Sequence, residues 1–320
     1  MSDLLTTAAS QREPLQASFS DASNPIGLDG IEFIEYATSK PQALGQVLEM
    51  MGFKPVARHR SREVLLYRQG AMNVVVNAHP SEVQGAAQGS DVPTISAIAL
   101  RVRDARAAYA YAKERGAWEV PTRAEVMELN IPAIHGAGSS RIYFVDRYQE
   151  FSIYEVDFTP IPSVDQKPAA TAGIHFFGVV QYIGPERSND WTEFYKELFG
   201  FGEIPDEKRF GIMPKGRLLQ SPALHAQSAF MLQLVEPEMN VLDADEKLQR
   251  IGLGVPDVLA AVAALRQLGM EFVETTAAHT EQRGAITKTY LGGVVFELVQ
   301  SQKALSTAAA KPTAASKAKA

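Results

Sequence analysis

The sequence predicts an α+β protein made of four β-α-β-β-β modules paired into two domains. Three features lead there. One pattern recurs four times: a short apolar strand, an amphipathic helix, then a Gly–apolar step into further strand-like runs. A Pro-rich segment separates the copies two and two. A lone module leaves one sheet face uncovered, so modules must pair to bury it.

The first copy runs GIEFIEYATS, then PQALGQVLEMMGF, turning at Gly52. The second runs ISAIALRVRD, then ARAAYAYAKERGA, turning at Gly116; the third runs GIHFFGVVQYI, then WTEFYKELFGF, turning at Gly200. The fourth runs LQRIGLGVPD, then VLAAVAALRQLGM, turning at Gly269. Gly suits the left-handed residue just beyond a helix C-terminus. The intervals are 64, 84 and 69 residues, and the widest contains the linker. After each helix come strand-like runs: EVLLYRQG and MNVVVNAHP; RIYFVDR and FSIYEVDF; SAFMLQLVEP; ITKTYLGG and VVFELVQ.

The resulting organisation is a disordered start (1–23), an N-terminal domain (24–158), a linker (159–173), a C-terminal domain (174–300) and a disordered Ala/Lys tail (301–320). A chain of 320 residues is long enough for two cores. No apolar run approaches the ~18 residues of a membrane span, and the first residues lack a secretory signal's basic start and apolar core. Cys is absent, which excludes disulfides, thiolate nucleophiles, Fe–S clusters and cysteine zinc sites, and fits the cytoplasm. The net charge is −6; the tail holds four Lys and no acid, so the body carries −10. So acidic a body excludes nucleic acid as a partner. A homo-oligomer stays open.

Each pair of modules curves into a cup whose inward positions carry any chemistry. The N-terminal cup offers Glu32 and Glu35 but otherwise Val, Ile and Tyr, and is expected to be apolar, closed and structural. His59, His79 and His135 are expected in turns or loops. In the C-terminal domain His175 opens an apolar strand and Glu297 sits inside VVFELVQ. A carboxylate in an apolar strand must be paired or metal-bound. His with a carboxylate is a start on a non-haem Fe(II) site, which wants a second His. By module symmetry that position is Arg250. Trp191, Tyr195, Phe194 and Phe201 form an apolar face for helix–sheet packing. GLGVPD and HGAGSS carry no nucleotide-binding signature.

The segments NPIGLDGIEFIEYAT, VARHRSREVLLYRQG, RIYFVDRYQEFSIYEVDF, GIHFFGVVQYI with WTEFYKELFGF, and VVFELVQ resemble the 4-hydroxyphenylpyruvate dioxygenase family of the vicinal oxygen chelate superfamily. The resemblance covers about residues 24–300. It implies two vicinal-oxygen-chelate (glyoxalase/dioxygenase-like) domains of paired modules and a C-terminal ferrous site held by two His and one Glu. His175 and Glu297 match the first and third ligands, and Arg250 stands at the second. Arg has no lone pair to offer and does not lose its proton. The segment between Met270 and Val294 is also much shorter than the family's, and the Ala/Lys tail replaces a closing helix.

Three readings follow. In the first, a dioxygenase uses O2 to convert an aromatic 2-oxo acid (4-hydroxyphenylpyruvate to homogentisate, in tyrosine catabolism), weakly, with Fe(II) on His175, Glu297 and a substitute donor: Gln233, His225 or His279. In the second, a metal-free relative pairs Arg250 with Glu297 through two contacts, and the cup binds a carboxylate or the protein serves a partner. In the third, the chain has no small-molecule function.

Overall fold

A computed structural model describes residues 23–79, 91–121, 129–138, 140–149, 151–205, 216–237, 245–274 and 284–301. Residues 1–22 of the start and 302–320 of the tail expected to be disordered, and His279, lie outside them.

All four modules are present. The first is β1 (Leu28–Ala37), α1 (Pro41–Met50), β2 (Lys54–His59), β3 (Val64–Gln69) and β4 (Met72–Asn77). The second is β5 (Thr94–Val102), α2 (Ala105–Glu114), β6 (Ala133–His135) and β7 (Arg141–Val145). A short helix α3 (Ile153–Asp157) and β8 (Phe158–Pro160) follow. The third is β9 (His175–Tyr182), α4 (Ser188–Phe199), β10 (Gly202–Ile204), β11 (Arg217–Gln220) and β12 (Met231–Val235). The fourth is β13 (Lys247–Val255), α5 (Val258–Gln267), β14 (Ala285–Ile286) and β15 (Phe296–Gln300). In the second and fourth, the strand expected just after the helix is reduced to the bridges Glu119–Ile134 and Phe272–Thr287.

Local chemistry sets the helix ends. Gly52, Gly116, Gly200 and Gly269 all have positive φ, from +74° to +94°, where the chain leaves each helix. The side chains of Asp104 and Asp257 cap α2 and α5, accepting from the N–H of Ala107 and Ala260.

FSIYEVDF departs from its expected strand. Ile153–Asp157 is helical, and only Phe158–Pro160 is extended. Ile153 and Asp157, four apart, are the buried pair, a helical spacing that the β-branched composition disguised. Asp157 accepts from the Leu129 N–H, and Ile153 packs into the first cup.

The modules pair through their first strands. β1 runs antiparallel to β5, and β9 antiparallel to β13. Strand order is β10-β11-β12-β9-β13-β5-β1-β4-β3-β2-β8; β7 adds to β5, β6 to β7, β15 to β13 and β14 to β15. The two halves meet in the sheet at Leu248 and Ile95. On the helix side one core runs across both, with the Phe144 and Phe199 rings 6.3 Å apart. Trp191, Tyr195 and Phe201 are buried in it, as the helical pattern predicts. No helix among the described residues is long and apolar enough to cross a membrane.

Candidate functional site

Alternate residues of β13 place Arg250, Gly252 and Gly254 on one sheet face. β15 sets Glu297 beside Gly252, and β9 sets Gly178 beside Gly252 and His175 beside Gly254. β12, next to β9, sets Gln233 beside Val180. The C-terminal cup therefore gathers His175, Gln233, Arg250 and Glu297 on a shared face. Its cavity of about 30 Å³ is lined by Gly178, Val180, Leu218, Met231, Gln233, Gly252 and Glu297, among others. That is space for one or two water-sized groups.

Arg250 does not itself line this cavity: its side chain is 2% exposed, and that of Glu297, which does, is 7% exposed. Its Nε donates to Glu297 Oε2 at 3.0 Å and its Nη1 to Gln249 Oε1 at 3.3 Å. Its Nη2 is buried with no hydrogen-bond partner among the described residues. The two-contact pairing expected from the sequence is thus a single contact. Arg250 precedes Gly252, the strand neighbour of Glu297, by one pleat repeat, so it meets the carboxylate diagonally.

His175 fills the hollow left by Gly254, where an added Cβ would collide with the imidazole Nε2. Its Nδ1 is 3.1 Å from the Gly173 carbonyl and its Nε2 is 3.0 Å from Ser301 Oγ. A carbonyl only accepts, so Nδ1 donates to it, while Nε2 shares its hydrogen bond with the Ser301 hydroxyl, which can donate or accept.

The other histidines lie elsewhere. His225 binds Asp29 of β1, Nδ1 to Oδ2 at 2.8 Å, outside the cup. His59 and His135 end strands β2 and β6 instead of occupying turns or loops; the His59 ring meets Phe158 edge-on at 5.2 Å.

The N-terminal cup is not the apolar one expected. Phe33, Leu66, Val75, Val145, Ile153 and Phe158 do fill it, but a charged network lies among them. Glu32, 1% exposed, accepts from Arg101 Nε at 2.6 Å and from Asn73 Nδ2 at 3.2 Å. Arg68 Nε donates to Asn73 Oδ1 at 2.8 Å, and Ser96 Oγ to Glu35 Oε1 at 2.8 Å. The buried Tyr154 hydroxyl approaches Glu32 without a well-formed hydrogen bond. Burial pushes the Glu32 carboxyl up from its ordinary value, against the pull of Arg101. These partners come from different elements, so no local motif announced them. The available signal was the repeat itself: Gly30-Ile31-Glu32-Phe33 and Gly173-Ile174-His175-Phe176 are the same step in two modules.

Residues 22–159 match the family described as hydroxyphenylpyruvate dioxygenase, HPPD, N-terminal. A 4-hydroxyphenylpyruvate dioxygenase from Pseudomonas sp. (strain P.J. 874) is 35% identical over 263 residues, spanning 78% of this chain and 72% of that protein. This chain belongs to the 4-hydroxyphenylpyruvate dioxygenase family. Within that dioxygenase family and its vicinal oxygen chelate superfamily, names vary: hemolysin VllY of Vibrio vulnificus (strain CMCP6) is 35% identical over 270 residues, 80% of this chain and 74% of that one. A mutant of 4-hydroxymandelate synthase from Streptomyces coelicolor superposes with a TM-score of 0.67, covering 86% of this chain and 93% of that chain at 14% identity, which speaks to the fold alone.

Ferrous iron, general in this family, needs three donor side chains facing one point. Here the second ligand position holds a permanent cation, and Glu297 already answers it at 3.0 Å. Nor is there a group of three His, Asp or Glu able to hold a metal among the described residues. The donor set does not fit iron, because the guanidinium occupies the charge position that the ion would take.

Proposed function

We propose that this chain is a member of the 4-hydroxyphenylpyruvate dioxygenase family in which the Arg250–Glu297 pair replaces the ferrous centre. On this reading residues 24–158 form a structural domain, 159–173 a linker, and 174–300 the domain whose cup binds a small molecule without O2 chemistry. The observation that carries it is the buried contact between Arg250 Nε and Glu297 Oε2 at 3.0 Å. Both groups are out of water, so removing either strands a charge; such a pair is a fixed part of the fold. The test is protein purified anaerobically with ferrous iron, assayed for bound iron and for oxygen uptake with 4-hydroxyphenylpyruvate. Iron far below one atom per chain, with folded protein and no homogentisate formed, is the expected result. About one iron per chain with turnover would overturn it.

A second reading keeps the dioxygenase, its 2-oxo acid and O2, with Fe(II) on His175, Glu297 and Gln233. The observation favouring it is that Gln233 and Glu297 line the same cavity. An amide oxygen is a weaker donor than imidazole, and Arg250 would still stand beside the dication. Loss of bound iron in Gln233→Ala would support this reading.

A further inference from the structure

We infer that Ser301 and His175 form a nucleophile–base pair that acts on small esters, at the place where β9 begins and β13 and β15 end. The inference rests on the metal-free reading, because an iron on His175 would take the nitrogen that the serine uses. It starts from a chain of three groups. Ser301 Oγ lies 3.0 Å from His175 Nε2, and His175 Nδ1 lies 3.1 Å from the Gly173 carbonyl. With Nδ1 donating to that carbonyl, the lone pair of a neutral ring is left on Nε2, and the serine hydroxyl donates to it. Nucleophile, base and a third group orienting the base are the parts of an activated serine.

The frame holds both members. Gly254 stands beside His175, and the tip of the ring takes the room that a side chain there would need. Ser301 is tied by its own N–H, which donates at 2.7 Å to the carbonyl of Val255, the residue after Gly254. Both residues are half-buried, which leaves the pair open to a small reagent. Ser61 supplies the contrast. Its Oγ is 3.4 Å from His59 Nδ1, but that nitrogen already accepts from the N–H groups of Ser61 and Arg62, at 3.3 and 3.2 Å. That base is spent on the backbone, whereas His175 Nε2 faces a hydroxyl.

On an ester, Ser301 Oγ attacks the carbonyl carbon as its proton passes to His175 Nε2. The carbon–oxygen bond to the alcohol breaks, and the alcohol leaves with that proton. Water then attacks the acyl group and gives a proton to Nε2; the bond to Oγ breaks, and Oγ takes the proton back. The leaving group sets the class of substrate, because an alkoxide or phenoxide departs more readily than an amine. Base assistance of this kind is worth about 10²–10⁴-fold.

The probes are diisopropyl fluorophosphate, which bonds a serine oxygen to phosphorus and expels fluoride, and 4-nitrophenyl acetate. Both are used at about pH 8 with a chelator present, and mass spectrometry locates the adduct. In wild type, Ser301 should be labelled about 100-fold or more faster than the exposed Ser39 and Ser61 of the same molecule. The acetate should give a burst of about one nitrophenolate per chain, with the acetyl group on Ser301. In His175→Gln, checked for folding by circular dichroism, the labelling of Ser301 should fall to the rate of Ser39. Labelling of Ser301 no faster than Ser39 and Ser61, or an unchanged rate in the folded variant, overturns the inference; the comparison within wild type stands even if the variant fails to fold. Labelling that is fast with chelator and abolished by about one ferrous ion per chain would uphold the pair and defeat the metal-free reading.

Discussion

The N-terminal cup holds Glu32 against Arg101 where the C-terminal cup holds His175 in the hollow of Gly254. The correspondence is position by position: Glu32 and His175 both follow a Gly-Ile step, and Arg101 and Gly254 both stand three residues before a helix-capping Asp. Ala97 then matches Arg250, and strand register matches Tyr143 with Glu297, beside Ala99 and Gly252 respectively. Each cup thus contains an Arg–Glu pair, Arg101–Glu32 in the first and Arg250–Glu297 in the second, but on different rungs. In the first the Arg101 side chain is 24% exposed, stacks on Tyr148, and helps cover a cup packed by Phe33, Val75 and Ile153. In the second the pair is fully buried beside free space. The same frame has given one cup with apolar side chains packed about its ion pair and another that keeps a cavity, and the difference lies in a handful of inward residues.

Arg250→His tests that difference most severely. It removes a cation from the ligand position, worth on the order of 4 kcal/mol per unit of charge at contact range, and adds a neutral nitrogen donor. Affinity for Fe(II) or Co(II) should rise by orders of magnitude, read as a metal-dependent shift in melting temperature absent from wild type. Equal metal-dependent shifts in the two proteins would show that Arg250 does not block the position.

A smaller effect comes from cutting each pair in turn. Arg250→Met leaves Glu297 buried without its cation and should cost about 3–5 kcal/mol in urea unfolding. Arg101→Met should cost clearly less, because Asn73 still donates to Glu32 and Arg101 is partly exposed. Equal losses would mean that the two pairs do the same structural work.

The smallest expected effect is a pH dependence confined to the first cup. The folded-state value of Glu32 lies above its ordinary 4.5, so the folded protein holds this proton more tightly than the unfolded chain. The stability it contributes is complete below 4.5 and is lost as pH rises through the raised value. Glu32→Gln cannot titrate and should gain on wild type as pH rises through that window, measured by urea melts at about pH 4 and about pH 7. A constant difference across that range would place the folded value at the ordinary one.

Much of the fold could be read from local chemistry. The four helices announced themselves by apolar spacing and a terminal Gly, and every one of those glycines has the left-handed backbone it was chosen for. Glu297 was legible because a carboxylate inside an apolar strand needs a partner, and Arg250 because module symmetry and the family resemblance put it where a second His belongs. The Glu32 network was not legible, since Arg68, Asn73 and Arg101 come from three other strands and each looks like an ordinary surface residue in its own segment. Helix α3 was missed because its composition favours a strand while its burial follows a four-residue spacing. The idle Nη2 was beyond sequence altogether, because it depends on the angle at which one side chain meets another.

The helix-side core that runs through Phe144 and Phe199 has a consequence for how the molecule comes apart. Two halves joined in the sheet at one residue pair would melt independently if nothing else tied them. Burying aromatic rings from both halves in one cluster makes each half expose apolar surface when the other unfolds, at roughly 25 cal/mol per Å². Amide protons on both sides of that seam should therefore exchange by a common global opening, and calorimetry should record a single heat-absorption peak.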